Sequence, residues 1–183
     1  MSTPTKFLLD ESKMPKYWYN IAADLPVRQP GGLPREVLTH ILDTAARKFK
    51  KTGAIQYNHK MTYPQLKDHA DRLATAFASM GLKKNDRVVT LLPTSIQFVI
   101  TDYALSRAGL VHVPCSSLEP LKILNHKCEE SSPQAIVCLD TDLDAAEKLS
   151  KKCRIPQIVV TRLMDYSDSP KAEKDDLTVS GAQ

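Results

Sequence analysis

The stretch Thr62–Pro114 constrains this chain most, because it sets out helix, strand, helix and strand with separate chemistry at each boundary. Thr62 is placed to cap a helix, and Gln65 three residues on completes a capping box. Leu66, Ala70, Leu73, Ala74, Phe77 and Ala78 then recur at helical spacing, and Gly81 supplies a left-handed stop. The polar turn Lys83–Asp86 leads into Arg87-Val88-Val89-Thr90-Leu91-Leu92, an apolar run of the buried-strand type. Pro93 closes it. Thr94 or Ser95 caps a second helix, with Ile96, Val99, Ile100, Tyr103 and Ala104 on one face and Gly109 at its end. Val111-His112-Val113 is the next strand. Strand, helix and strand in so short a span form a βαβ unit, whose crossover imposes parallel, right-handed pairing.

The flanks extend this alternation. Pro34 opens a helix with an apolar face of Val37, Leu38, Ile41, Leu42, Ala45, Ala46 and Phe49. Ala54–Tyr57 and Met61-Thr62 flank Asn58-His59-Lys60, where a tight hairpin is expected because Asn tolerates positive φ. After Pro114, Cys115–Leu118 reads as a loop, and Pro120 opens a helix that Ser131-Ser132-Pro133 breaks. Ala135–Leu139 is another buried-type strand, Thr141 is expected to cap a helix reaching Cys153, and Gln157–Thr161 is a further strand. The fold class expected is α/β: three layers, with a mostly parallel sheet and helices on both faces. Residues 1–33 form an irregular lead-in, 34–165 the α/β unit, and 166–183 a polar, disordered tail. Phe7-Leu8-Leu9 and Tyr17-Trp18-Tyr19 are too apolar for a free segment, so the lead-in is expected to pack across the body.

At 183 residues the chain is long enough to bury a core. Its net charge of +4 comes from 25 basic and 21 acidic residues mixed along the sequence. Basic pairs such as Lys50-Lys51 and Lys151-Lys152 have no interleaved aromatics, which argues against nucleic acid as a partner. Cys115, Cys128, Cys138 and Cys153 have no C-x-x-C spacing, so no metal site is expected and the thiols read as free. No run reaches membrane-spanning length and no secretory segment is expected, which makes the cytosol the default location.

A parallel sheet binds ligands at the carboxyl ends of its strands. Two loops qualify: Pro93-Thr94-Ser95 and Pro114-Cys115-Ser116-Ser117. Thr and Ser at these positions are equally ordinary helix caps. The six glycines form neither G-x-G-x-x-G nor G-x-x-x-x-G-K-[ST], so both phosphate-cradling loops are missing. The five histidines are scattered, and His112, between Val111 and Val113, reads as a packed strand residue. No catalytic residue is assigned.

The same residues carry a family likeness. Met61–Leu66, Ala70–Ala74, Gly81–Val88, Leu91–Val99 and Ala108–Pro114 resemble, in order and spacing, the early part of adenylate-forming enzymes, acyl-CoA synthetases among them. Fatty-acid and medium-chain acid–CoA ligases look most similar. Asn85 stands where that family usually has Gly, Thr94 where Asn is common, and Ile123 where Glu is usual. The resemblance implies an AMP-forming ligase that makes an acyl-adenylate and passes the acyl group to CoA. ATP, Mg²⁺ and CoA are implied for the complete enzyme, and no cofactor for this chain. The family's phosphate loop and C-terminal lysine domain lie downstream of the matched blocks, so the chain is expected to be catalytically incomplete. Pro93, Thr94, Ser95, Pro114, Cys115 and Ser116 would then wall the substrate cleft. Its expected partners are the remainder of the ligase, in cis or as a separate chain, and possible further copies of itself. The alternatives are a non-catalytic truncated homologue serving as a binding or assembly module, and a generic flavodoxin-like domain.

Overall fold

The computed structural model describes residues 37–56, 59–167 and 179–181. The lead-in and Pro34 therefore lie outside the described residues. The first described helix, α1, spans Thr39–Lys48. It buries Thr39, Leu42 and Ala46, while Val37, Leu38, Ile41 and Phe49 of the expected apolar face are exposed.

Strands β1 (Thr52–Gln56) and β2 (His59–Thr62) form the expected antiparallel hairpin, with Gln56 opposite His59. The connection is tighter than expected, because His59 and Lys60 belong to the second strand and only residues 57 and 58 lie between the strands. Helix α2 (Tyr63–Ser79) starts as its sequence dictates. The Thr62 hydroxyl accepts the Gln65 N–H, and the Gln65 side chain accepts the Thr62 N–H at 2.8 Å. Beyond its end Gly81 takes φ +85°, and Gly109 takes φ +71° after the next helix. A side chain there would be strained, so glycine is the least costly stop.

The main sheet holds β3 (Arg87–Leu91), β4 (Val111–Cys115), β5 (Ala135–Leu139), β6 (Gln157–Thr161) and β7 (Val179–Gly181), in the order β4-β3-β5-β6-β7. The first four are parallel, with Leu91 level with both Cys115 and Cys138. β7 joins β6 antiparallel. Between them run α3 (Ile96–Ala108), α4 (Leu121–Ser131) and α5 (Leu143–Cys153). Right-handed crossovers fix their faces. The step from β3 to β4 and the step from β4 back past β3 to β5 run in opposite directions, so α3 and α4 must cover opposite faces.

Alternation along the strands carries this into the core. Val88, Ala135, Val137 and Leu139 pack with Phe77 of α2 and with Ala104 and Leu105 of α3. Val89, Leu91, Ile136 and Cys138 pack with Leu124 and Cys128 of α4 and with Ala146 and Leu149 of α5. Every residue of β5 is buried, as expected of a central parallel strand. A third cluster joins Leu42, Met61, Leu66, Ala70, Ile96 and Ile100, so α1 and the hairpin close the outside of α2 and α3. Arg107 of α3 lies 2.5 Å from Asp43 of α1 and 2.5 Å from Asp71 of α2, tying the three helices together by charge.

Three local expectations need correction. Thr141 does not cap α5: Asp140–Asp142 form a 3-10 turn, and the Thr141 N–H donates to Asp140 Oδ1 at 2.9 Å. The Asp140 side chain thus completes the turn that the Thr was expected to make. Cys115 ends β4 rather than opening a loop. Tyr166, taken as the start of a disordered tail, sits in a 3-10 turn at Leu163–Tyr166, held by aromatic contact with His69 at 5.5 Å. Val179–Gly181 are likewise placed in a strand, and most of the tail lies outside the described residues.

Candidate functional site

The two loops singled out by sequence lie side by side. β3 and β4 are neighbours in register, so Pro93-Thr94-Ser95 and the end of β4 at Pro114-Cys115-Ser116 share the carboxyl edge. The chain leaves β3 for one face of the sheet and leaves β4 and β5 for the other. This divergence opens the crevice in which parallel sheets commonly hold ligands.

The donors expected there are largely engaged. Ser95 Oγ accepts the Phe98 N–H at 3.2 Å, and Gln56 Oε1 accepts the Ile96 N–H at 2.8 Å. Gln56 Nε2 donates to the Leu163 carbonyl at 2.8 Å and to Gln97 Oε1 at 3.2 Å. Gln97, only 4% exposed, donates to the Arg162 carbonyl at 2.7 Å. Two glutamines therefore bind the hairpin, the start of α3 and the turn after β6 into one strut. Sequence reading missed both, since a glutamine in a strand or helix gives no local signal.

The second loop is also internally bonded. Ser116 Oγ accepts the Leu118 N–H at 3.2 Å, and Glu119 Oε1 accepts the Ser116 N–H at 3.3 Å. Lys127 of α4 pairs with Glu119 at 2.7 Å, and its ammonium holds the Glu119 carboxyl below the usual carboxylate range. Cys115 is 7% exposed, and burial pushes its thiol up, the opposite of an activated nucleophile. Pro93, Thr94, Pro114 and Ser116 are exposed along the edge.

Beside β5 and β6 the edge is acidic. Asp140, Asp142 and Asp165 gather there, with Arg162 Nε 4.0 Å from Asp140. Asp165 accepts the Thr161 hydroxyl at 2.9 Å and the Arg162 N–H at 2.7 Å. Burial, with Asp140 nearby, raises the Asp142 carboxyl. Such a rim repels phosphates. Among the described residues no group of three or more His, Cys, Asp or Glu is arranged to hold a metal ion.

His112 is more connected than its strand position suggests. Its Nδ1 lies 2.8 Å from Asp102 Oδ1, and its Nε2 lies 2.8 Å from Thr90 Oγ1. The carboxylate can only accept, so Nδ1 donates and, in the neutral ring, Nε2 accepts the Thr90 hydroxyl. This acid–His–hydroxyl chain resembles a nucleophilic triad in outline only. Thr90 is fully buried and no substrate reaches it.

A cleft of about 310 Å³ lies between α2, α3 and the β5–β6 face. Leu73, Ala76, Ile100, Val137 and Val159 give it an apolar lining, with His69, Arg72 and Tyr166 among its polar groups. Burial pushes the Tyr166 phenol up to about 12 and lowers His69, so both are uncharged near neutrality.

The comparisons with known proteins fit this architecture. The long-chain-fatty-acid–CoA ligase of Bacillus subtilis is 33% identical over 149 residues, covering 81% of this chain and 26% of the ligase. That of Salmonella typhimurium is 25% identical over 167 residues, covering 86% of this chain and 28% of the ligase. The chain thus spans about a quarter of the length of the curated relatives it matches. Among solved structures, apo MbtA of Mycobacterium smegmatis is 27% identical with a TM-score of 0.65, covering 90% of this chain and 32% of that one. The model of the AMP-binding enzyme family matches residues 42–181. The chain belongs to the AMP-binding enzyme family.

Proposed function

We propose that this chain is the N-terminal portion of an AMP-forming acid–CoA ligase that activates a fatty or medium-chain acid through an acyl-adenylate. Its part in the whole enzyme is structural: Pro93–Ser95 and Pro114–Ser116 wall the acyl and nucleotide cleft, and ATP, Mg²⁺ and CoA are held chiefly by the remainder. One observation carries the reading. The family match runs through the sheet, yet at its carboxyl edge Ser95, the Ile96 N–H and Ser116 are engaged by groups of the chain itself. Residues with an acidic rim and no phosphate loop do not fit a nucleotide's phosphates, so no chemical step is assigned to them. The free thiols suit a reducing compartment, and we place the enzyme in the cytosol. Among the described residues no helix is long and apolar enough to cross a membrane.

Acid-dependent ATP–pyrophosphate exchange tests the proposal. The chain alone should show none, and supplying the remainder of the ligase should produce it. Exchange by these 183 residues alone would overturn it.

A second reading, a non-catalytic module that binds another subunit, draws on one feature. Leu118, Leu121 and Ile123 are exposed together around the start of α4, with Leu118 93% exposed. That reading predicts a stable stoichiometric complex without exchange activity.

A further inference from the structure

Helix α1 closes the outside of α2 and α3 with Leu42 and Ala46, and it carries a second apolar set that the core does not use. Val37, Leu38, Ile41 and Phe49 are between 46% and 72% exposed. Steps of three and four residues, through the half-buried Ala45, line them up along one flank of the helix. Arg47, Lys48, Lys50 and Lys51 follow within five positions, all exposed. Asp43 is the only acidic residue between positions 37 and 51, and Arg107 already pairs with it. The helix dipole accounts for Arg47 and Lys48 in the last turn. It accounts neither for Lys50 and Lys51, which lie beyond the helix, nor for the apolar flank. The Lys51 ammonium sits 5.5 Å from the centre of the Phe49 ring, so a cation and an exposed aromatic share one spot. Nucleic acid would use the cations and leave the flank in water. A bilayer with anionic headgroups uses both.

We propose that residues 37–51 form a docking surface for an anionic lipid bilayer, with charge complementarity selecting that occupant. Val37, Leu38, Ile41 and Phe49 enter the boundary between headgroups and acyl chains. Arg47, Lys48, Lys50 and Lys51 lay their methylene stems along that boundary and bring their charges to the headgroup phosphates and carboxylates. Leu42 and Ala46 already anchor the helix in the core, so docking needs no folding step. The chain rests on the surface, and the contact is reversible and screened by salt.

Co-sedimentation of the intact chain with lipid vesicles tests this. At low salt it should pellet with vesicles of equal parts phosphatidylcholine and phosphatidylserine. It should stay in solution with phosphatidylcholine alone, or at about 1 M salt, where the screening length falls to about 3 Å. Hydrogen–deuterium exchange on the anionic vesicles should slow in residues 37–51 and not around Leu118. Lys48→Gln combined with Lys51→Gln should weaken partition about 25-fold, about fivefold for each cation. Ile41→Ser should weaken it with circular dichroism unchanged, since Ile41 lies outside the core. Leu118→Ser, in the other exposed apolar patch, should leave partition as it is. No pelleting with anionic vesicles, equal pelleting with neutral ones, or binding that survives the α1 variants and falls with Leu118→Ser would overturn the proposal. If a variant fails to fold, the wild-type vesicle comparison and exchange map decide it.

Discussion

The side-chain oxygen of Gln56 accepts the backbone N–H of Ile96 at 2.8 Å, so a residue on the hairpin closes the first turn of α3 from inside the protein. A helix start at the carboxyl edge of a parallel sheet is ordinarily a place for an anion. Here a neutral amide occupies that place, and the same amide binds the turn that follows β6. The edge is built for rigidity.

Replacing Gln56 with Ala should therefore destabilise the fold. It leaves the Ile96 N–H without its acceptor, while the Leu163 carbonyl keeps only the longer bond from Gln97 at 3.3 Å, a loss of about 1–3 kcal/mol. Gln56→Glu keeps the acceptor but sets a carboxylate oxygen against the Leu163 carbonyl and Gln97 Oε1, so it should destabilise at least as much as the Ala variant at neutral pH. Urea denaturation reads both, with the midpoint moving and the m-value unchanged.

Asn85 takes φ +72°, which accounts for its standing where the family usually carries glycine. Its N–H donates to the Gly109 carbonyl at 2.8 Å, fixing the turn before β3 against the end of α3. Asn85→Gly should be close to neutral, within about 0.5 kcal/mol. Asn85→Val should cost about 1–2 kcal/mol, because a branched side chain resists left-handed backbone. Thermal melts of the two variants side by side provide the check.

How much of this was legible in the sequence follows from the range of each interaction. The Thr62–Gln65 capping box, the Gly81 and Gly109 stops and the apolar run of β5 depend on a few neighbouring residues, and all were readable. The misread cap at Thr141 had a local cause, since Asp140 competes for the same turn. Gln56 with Ile96, 40 positions apart, and Thr90 with His112, 22 apart, could not be read at all. No local pattern marks a glutamine that will span two elements. Pro93-Thr94-Ser95 follows β3 as read, whereas Pro114 and Cys115 belong to β4 itself, and whether these groups faced a ligand or one another depended on such partners.

The His112 chain gives a prediction with an internal control. His112→Phe leaves the enclosed Thr90 hydroxyl without its acceptor and should cost about 1–3 kcal/mol. Adding Thr90→Val should recover much of that loss, since replacing both partners removes the unpaired group. Long-range nitrogen NMR of the neutral ring should show the proton on Nδ1. A proton on Nε2 would contradict the bonding described.

Asp43 carries a pH dependence. The hydrogen bond from the Arg107 guanidinium holds its carboxyl below the ordinary value of 3.8, against a smaller opposing effect of burial. Stability from this pair is therefore present above that value and is lost as the pH falls through the lower folded-state value. The Asp43 side chain is 33% exposed, so the effect is limited to about 1 kcal/mol by solvent screening. Arg107→Ala should remove this part of the acid-unfolding profile, as followed by circular dichroism between neutral and strongly acidic pH.

The central claim is that the carboxyl edge of this sheet is a scaffold whose polar groups already serve one another. Calorimetric titration of the intact chain with Mg²⁺–ATP tests it most directly. The account predicts no saturable heat up to millimolar nucleotide. Saturable binding at one site per chain, lost on Thr94→Ala or Ser116→Ala, would contradict it.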